Sequence, residues 1–268
     1  MNDLDWCIDY LKNINHINHK VRYEGYDYFR ALLNITMPIH LSDEFYLRQD
    51  KVLKDLLSKK VVVDSNDFKD GISLYKGDIT LIKADAIVNA CNSDLLGCFI
   101  PLHHCIDNAI HSFAGLQVRR DLYDVMQKQG HKEKNGFVKV TKGYNLPSKY
   151  IFHTVGPIYD KSNQNEIDLE NCYLSCLKKA DEMGLESIVF CSISTGVFSF
   201  PIDKASDIAI NTVKDYLKAE NKNIKKVIFD LFSDNDYYVY DRKIKEINKW
   251  KWRDCCWCWS WSIICSGV

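Results

Sequence analysis

The chain has 268 residues, of which 46% are hydrophobic and 26% charged, which suits a folded protein with a sizeable core. Its 35 basic and 36 acidic residues leave a formal net charge of −1, which argues against nucleic acid as the main partner. Eleven unevenly spaced cysteines, an acidic start and no apolar run of about 20 residues argue against a secreted disulfide scaffold and a membrane span, and predict a cytoplasmic protein with reduced thiols.

Residues 1–70 form a helical N-terminal extension by their patterning. Ser42 is a suitable N-cap, with Asp43 and Glu44 in the first turn, where negative charge favours the helix dipole. Phe45, Val52, Leu53, Leu56 and Leu57 then recur at helical spacing. Tyr28, Phe29, Leu32 and Leu33 give a shorter pattern that ends before Pro38. These helices carry no convergent catalytic pattern. Their apolar stripes need a surface, so they are expected to pack on the main domain.

From residue 71 the texture changes. Short β-rich runs cover 72–75, 86–90, 137–141, 150–155, 187–192 and 226–232. Helical patterns fall near 106–128, 166–183, 203–219 and 236–249. The alternation predicts a three-layer α/β/α domain over 71–250 with a mixed, largely parallel sheet. Ligands in such folds sit beyond the carboxyl ends of strands, and the loops 89–105, 154–160 and 192–201 all leave strand ends. Residues 251–268 hold four of the six tryptophans and four cysteines, unlike the rest, and are read as an atypical tail without assigned function.

Cys98, His103 and Cys105 lie on the loop between a strand and a helix, with Pro101 stiffening it. Two thiols and an imidazole suit a tetrahedral metal, and three ligands leave one position open, as in catalytic zinc sites. The bland reading is three unrelated residues, since a cysteine is often a small buried hydrophobe. His104 is the rival imidazole. Asp78 follows Gly77 in what can be an ordinary turn. Asn92 suits turn chemistry too, and Asp107 can serve as a charge at the start of a helix. The run Ser194-Thr195-Gly196-Val197-Phe198 follows a strand and precedes a helix, a place where backbone amides can cradle a diphosphate. His153 ends an apolar run and His111 lies within a helix; both are read as structural.

The segments Gly77-Asp78-Ile79-Thr80, 86–92 (AIVNACN) and 106–115 (IDNAIHSFAG) closely resemble the macrodomain family, which binds ADP-ribose. Where ordinary members have a run of glycines, this chain has 97–105 (GCFIPLHHC), which is similar to the zinc-dependent branch of protein-ADP-ribose hydrolases. The resemblance spans roughly 71–248. It implies that Asp78 accepts a hydrogen bond from the adenine amino group and that Ile79 packs nearby. It implies that Ser194, Thr195, Gly196, Val197 and Phe198 hold the diphosphate and proximal ribose. It places Asn92 and Asp107 as catalytic residues near the distal ribose, with Ile106 and Asn108 also binding substrate. It favours His103 over His104 as the zinc ligand between Cys98 and Cys105.

The resulting expectation is a zinc-dependent hydrolase removing carboxylate-linked mono-ADP-ribose from modified protein side chains. The alternative is an ADP-ribose-binding reader whose zinc is structural. The resemblance further implies, as partner, a lipoyl carrier protein modified by a sirtuin-type ADP-ribosyltransferase.

Overall fold

The computed structural model describes residues 1–18 and 22–259, with side chains through residue 246. Three helices open the chain: α1 (Asp3–Ile14), α2 (Gly25–Ile35) and α3 (Asp43–Ser58). Asn2 caps α1 by accepting a hydrogen bond from the Asp5 amide at 2.8 Å. Ser42 caps α3, its hydroxyl accepting from the Phe45 amide at 3.2 Å, as expected from the sequence. The three helices enclose a small core of Cys7, Leu11, Phe29, Leu32, Leu33, Phe45 and Leu53. Leu116 of the main domain completes that core, so the extension is seated on its neighbour.

The main domain then runs β1 (Val63–Asp64), β2 (Gly71–Tyr75), β3 (Ile82–Lys83), β4 (Ala86–Cys91), α4 (Ile106–Ala114), α5 (Leu116–Gln129), β5 (Val138–Lys142), β6 (Tyr150–Val155), α6 (Asn163–Glu182), β7 (Ser187–Cys191), α7 (Ile202–Ala219), β8 (Lys226–Asp230) and α8 (Asp234–Trp259). Six strands form one sheet in the order β2-β8-β7-β4-β6-β5. The first five are parallel, and β5 pairs antiparallel with β6 at the edge, so the sheet is mixed. Helices cover both faces in three layers. Strands β4 and β7 lie centrally and are buried along all or nearly all of their length, which a parallel sheet covered on both faces requires. Strands β1 and β3 form a separate two-residue parallel pair.

The helix expected over 106–128 is two. Gly115 breaks it at φ +100°, and a Cβ there would lie 2.6 Å from the Gln49 side chain of α3. The last helix also outruns the expected 249 and continues to Trp259. Half of the atypical tail, from 260 on, lies outside the described residues. Among the described residues no helix is long and apolar enough to cross a membrane.

Candidate functional site

The parallel register decides where the loops gather. Tyr75 pairs with Asp230, Asp230 with Cys191, and Cys91 with Val155. The loops that follow β2, β4, β6, β7 and β8 therefore leave the same edge of the sheet, where ligands bind in open α/β folds. Asp78, the 92–105 loop, the 192–201 loop and the segment after Asp230 all belong to it.

On the 92–105 loop, one donor atom from each of Cys98, His103 and Cys105 lies within 4.8 Å of the others. The Cys98 Sγ and His103 Nδ1 are 3.6 Å apart. All three side chains are half-buried, while His104 is exposed and outside the group. Burial pushes the Cys105 thiol up to about 12, although the Asn108 amide beside it pulls the other way. A bound divalent cation reverses such a shift, because it stabilises the thiolate. Donor type, convergence and partial burial therefore fit a metal such as zinc.

The loop reaches this shape through its own polar groups. Asn92 donates to the Gly97 carbonyl at 3.2 Å and accepts from the Asp94 amide at 3.0 Å, so its amide closes the turn after β4. Gly97 lies against the His111 ring, where a Cβ would be 2.9 Å away, and it has φ +83°. Asn108, expected to bind substrate, has a fully buried side chain. Its Nδ2 donates to the Ile100 carbonyl at 3.0 Å and the Cys98 carbonyl at 3.4 Å, and its Oδ1 accepts from Arg30 at 2.9 Å. It is a strut of the loop, because its hydrogen-bonding groups are turned inward.

Asp107 lies in the first turn of α4, two residues past Cys105, and is buried. Its Oδ1 accepts from Asn89 Nδ2 at 2.8 Å. Burial raises its carboxyl to about 6, against the pull of the Asn89 bond and the Arg119 charge. His111 Nε2 is 3.4 Å from Asp107, but burial, with the nearby Arg119 and His153, holds the imidazole neutral, so this is no ion pair. His153 is buried against Thr141 Oγ1 at 2.9 Å and Asn89 at 3.2 Å, and burial lowers it to about 3. Both histidines are core residues, as read from the sequence.

The 192–201 loop carries two non-glycine residues in the left-handed region, Ser194 at φ +65° and Ser199 at φ +54°. Such backbone is costly and concentrates at ligand sites. The loop is closed by bonds from the Ser199 amide to the Gly196 carbonyl and from the Phe200 amide to the Ser194 carbonyl, at 2.9 and 3.0 Å. Gly156 at the end of β6 permits this approach, since a Cβ there would be 2.2 Å from the Ser194 hydroxyl. Ser194 is itself buried, while Gly196 and Val197 are exposed and Thr195 and Phe198 half-buried.

Asp78 is exposed, and its Oδ1 accepts from the Thr80 amide at 2.9 Å and the Thr80 hydroxyl at 2.6 Å. Ile79 beside it is buried in the core. Two features of this edge escaped the sequence reading. Phe232, Val197 and Ile158 are 86%, 75% and 67% exposed just past the ends of β8, β7 and β6, giving the edge an apolar rim. The signal was an aromatic two residues past a strand, hidden because 226–232 read as one strand.

Asp230, the second, is raised to about 8 by burial and by the charge of Asp78, against the amides of Gly77 and Ile79. It keeps its proton in the folded chain up to about pH 8 but loses it near 3.8 when unfolded. The folded chain binds more protons in between, so this group makes stability fall as pH rises from about 4 to about 8. Asp230→Asn is expected to be near neutral at pH 4 and stabilising by about 1 kcal/mol or more at pH 8. Urea unfolding at both pH values checks this; an equal effect at both contradicts it.

Residues 88–209 match the family described as Macro domain. A protein of Staphylococcus aureus strain MRSA252 named protein-ADP-ribose hydrolase is 48% identical over 222 residues, covering 80% of this chain and 83% of its own. A Treponema medium protein of the same name is 42% identical over 251 residues, covering 88% of this chain and 96% of its own. Among solved structures, the Trypanosoma brucei macrodomain in complex with ADP-ribose superposes with a TM-score of 0.63 at 28% identity, covering 80% of this chain and 94% of that one. With the sheet order, the loops gathered at one edge and relatives this similar over most of their length, the chain belongs to the macrodomain family.

Proposed function

We propose that this chain is a hydrolase that removes mono-ADP-ribose from modified protein side chains, with zinc held by Cys98, His103 and Cys105. The observation that carries this reading is the convergence of those three side chains at the sheet edge shared with Asp78 and the 192–201 loop. The relatives' names and the ADP-ribose complex support the substrate class. Three ligands are what a catalytic zinc uses.

Cys98, His103 and Cys105 would hold the zinc, which would supply Lewis acidity to an oxygen at the reaction centre. The chain's own residues do the rest. Asp78 accepts from the adenine amino group, Ile79 lies beneath, and the exposed Phe232 offers its ring face to the base. Amides of Ser194, Thr195, Gly196 and Val197 surround the diphosphate, and Phe198 packs on the ribose. Ile106 and Asp107 border the distal ribose, and Asn92 shapes the loop there. Asp107, fixed by Asn89 and raised to about 6, is suited to orient a reacting hydroxyl and hold a proton near neutral pH.

The scissile bond is assigned to a carboxylate linkage, the modified protein to a lipoyl carrier acted on by a sirtuin-type transferase, and the compartment to the cytoplasm. Incubation with mono-ADP-ribosylated proteins of defined linkage, with and without a zinc chelator, tests the reading. Tight ADP-ribose binding without turnover on any of them favours the reader alternative.

The ligand half is tested separately by calorimetry. Asp78→Ala is expected to weaken ADP-ribose binding by about 1–3 kcal/mol, the cost of a lost polar partner. An inosine analogue without the amino group should then bind wild type and variant alike. Unchanged affinity in the variant contradicts adenine readout.

A further inference from the structure

The extension's helix α2 reaches the metal loop with two polar side chains that nothing in the chemistry above uses. Asn34 is buried, and its Oδ1 accepts from the Leu102 amide at 2.9 Å. Leu102 has φ +55°, a left-handed conformation that is costly for leucine. The bond lands on the one strained residue between the ligands Cys98 and His103. Arg30 donates to the carbonyl of His103 itself at 3.2 Å and to Asn108 Oδ1 at 2.9 Å. Asn108 in turn holds the carbonyls of Cys98 and Ile100. Ser112 on α4 joins the two arms, accepting from Asn34 Nδ2 at 2.9 Å.

We propose that Arg30 and Asn34 are positioning residues for the metal loop: they hold Leu102 and His103 where the three ligands converge. The inference rests on the reading that this loop binds zinc. An eight-residue loop with one proline has few internal bonds, so its shape needs an outside reference, and α2 provides one. Docking of the extension does not require these bonds. It has the Leu116 contact, the stacking of Tyr26 on Phe113 at 6.2 Å between ring centroids, and the bonds of Arg119 to the carbonyls of Leu33 and Thr36. Outer groups of this kind orient metal ligands, and their loss usually costs about 10–100-fold in metal affinity.

The test uses the full-length zinc-loaded protein and follows transfer of Zn2+ to a colorimetric chelator. Asn34→Ala and Arg30→Ala are expected to release zinc about 10-fold faster or more. Asn34→Asp keeps the acceptor for the Leu102 amide and is expected to restore slow release. Visible absorption of the Co2+-substituted protein gives a second readout: the bands should shift in Asn34→Ala and return in Asn34→Asp. If Asn34→Ala fails to fold, Arg30→Ala, at a half-buried position, carries the test. Wild-type release rates and unshifted Co2+ bands in both alanine variants overturn the proposal. A wild type that retains no zinc overturns the reading beneath it, and shows this before any variant is compared.

Discussion

Cys98→Ala and Cys105→Ala are each expected to leave a folded protein without zinc and with turnover reduced about a hundredfold or more. With two ligands left, the site falls below what zinc requires for tight binding, and the pKa depression that zinc confers on an oxygen is lost. ADP-ribose binding should change far less, within about tenfold or 1.4 kcal/mol. The reason is topological. Asp78 leaves β2 and the 194–198 loop leaves β7, whereas the ligands sit on the loop after β4. Elemental analysis, calorimetry and release of ADP-ribose from a modified protein measure the three quantities on one preparation. A folded, metal-free variant that turns over at the wild-type rate contradicts zinc catalysis, and full zinc content in the Cys98→Ala, Cys105→Ala double variant contradicts the ligand set.

The second large effect belongs to Arg119. Its side chain is 2% exposed and donates to three backbone carbonyls: Leu96 at 2.7 Å, Leu33 at 2.7 Å and Thr36 at 2.6 Å. The guanidinium also lies 4.5 Å from the centre of the Phe99 ring. Burial lowers it only to about 10, so it stays charged at neutral pH. Arg119→Ala removes a large buried side chain and leaves those carbonyls unpaired. At about 1–3 kcal/mol for each buried group left unsatisfied, a loss of about 3 kcal/mol or more is expected by urea unfolding. Two of the carbonyls belong to the extension and one to the loop before Cys98. Residues 1–70 and 71–250 are therefore expected to unfold in one transition despite their different texture. A loss under about 1 kcal/mol, or two transitions in wild type, contradicts this.

The layers were readable because each rests on periodicity. The central strands are mostly apolar runs, and Ser42 with its acidic followers marks a helix start in any context. The cluster of Cys98, His103 and Cys105 was readable because the three are close in sequence and chemically unusual. What stayed hidden depends on distance along the chain. Arg30 and Asn34 look like ordinary polar positions of an amphipathic helix until α2 is laid on α4, more than seventy residues later. The break at Gly115 was hidden for a similar reason: the helical pattern continues through it, and its positive φ goes with close packing against the Gln49 side chain from α3. Asn108 shows a different limit. It belongs to a recognisable motif, yet motif membership does not tell which way an amide points.

Seven cysteines fall within the side chains described, and five of them, Cys7, Cys91, Cys172, Cys176 and Cys191, are buried out of reach of solvent. Sulfur that solvent cannot reach reacts slowly with electrophiles. Cys98 and Cys105 are only half-buried. Among these seven, alkylating agents and peroxide thus meet the folded chain at the 98–105 loop first, and an ion held there as proposed would mask both thiols at once. The folded core thereby makes the loop a chemical reporter of its own occupancy: the pattern of thiol modification along the domain distinguishes loaded from empty molecules in a mixture.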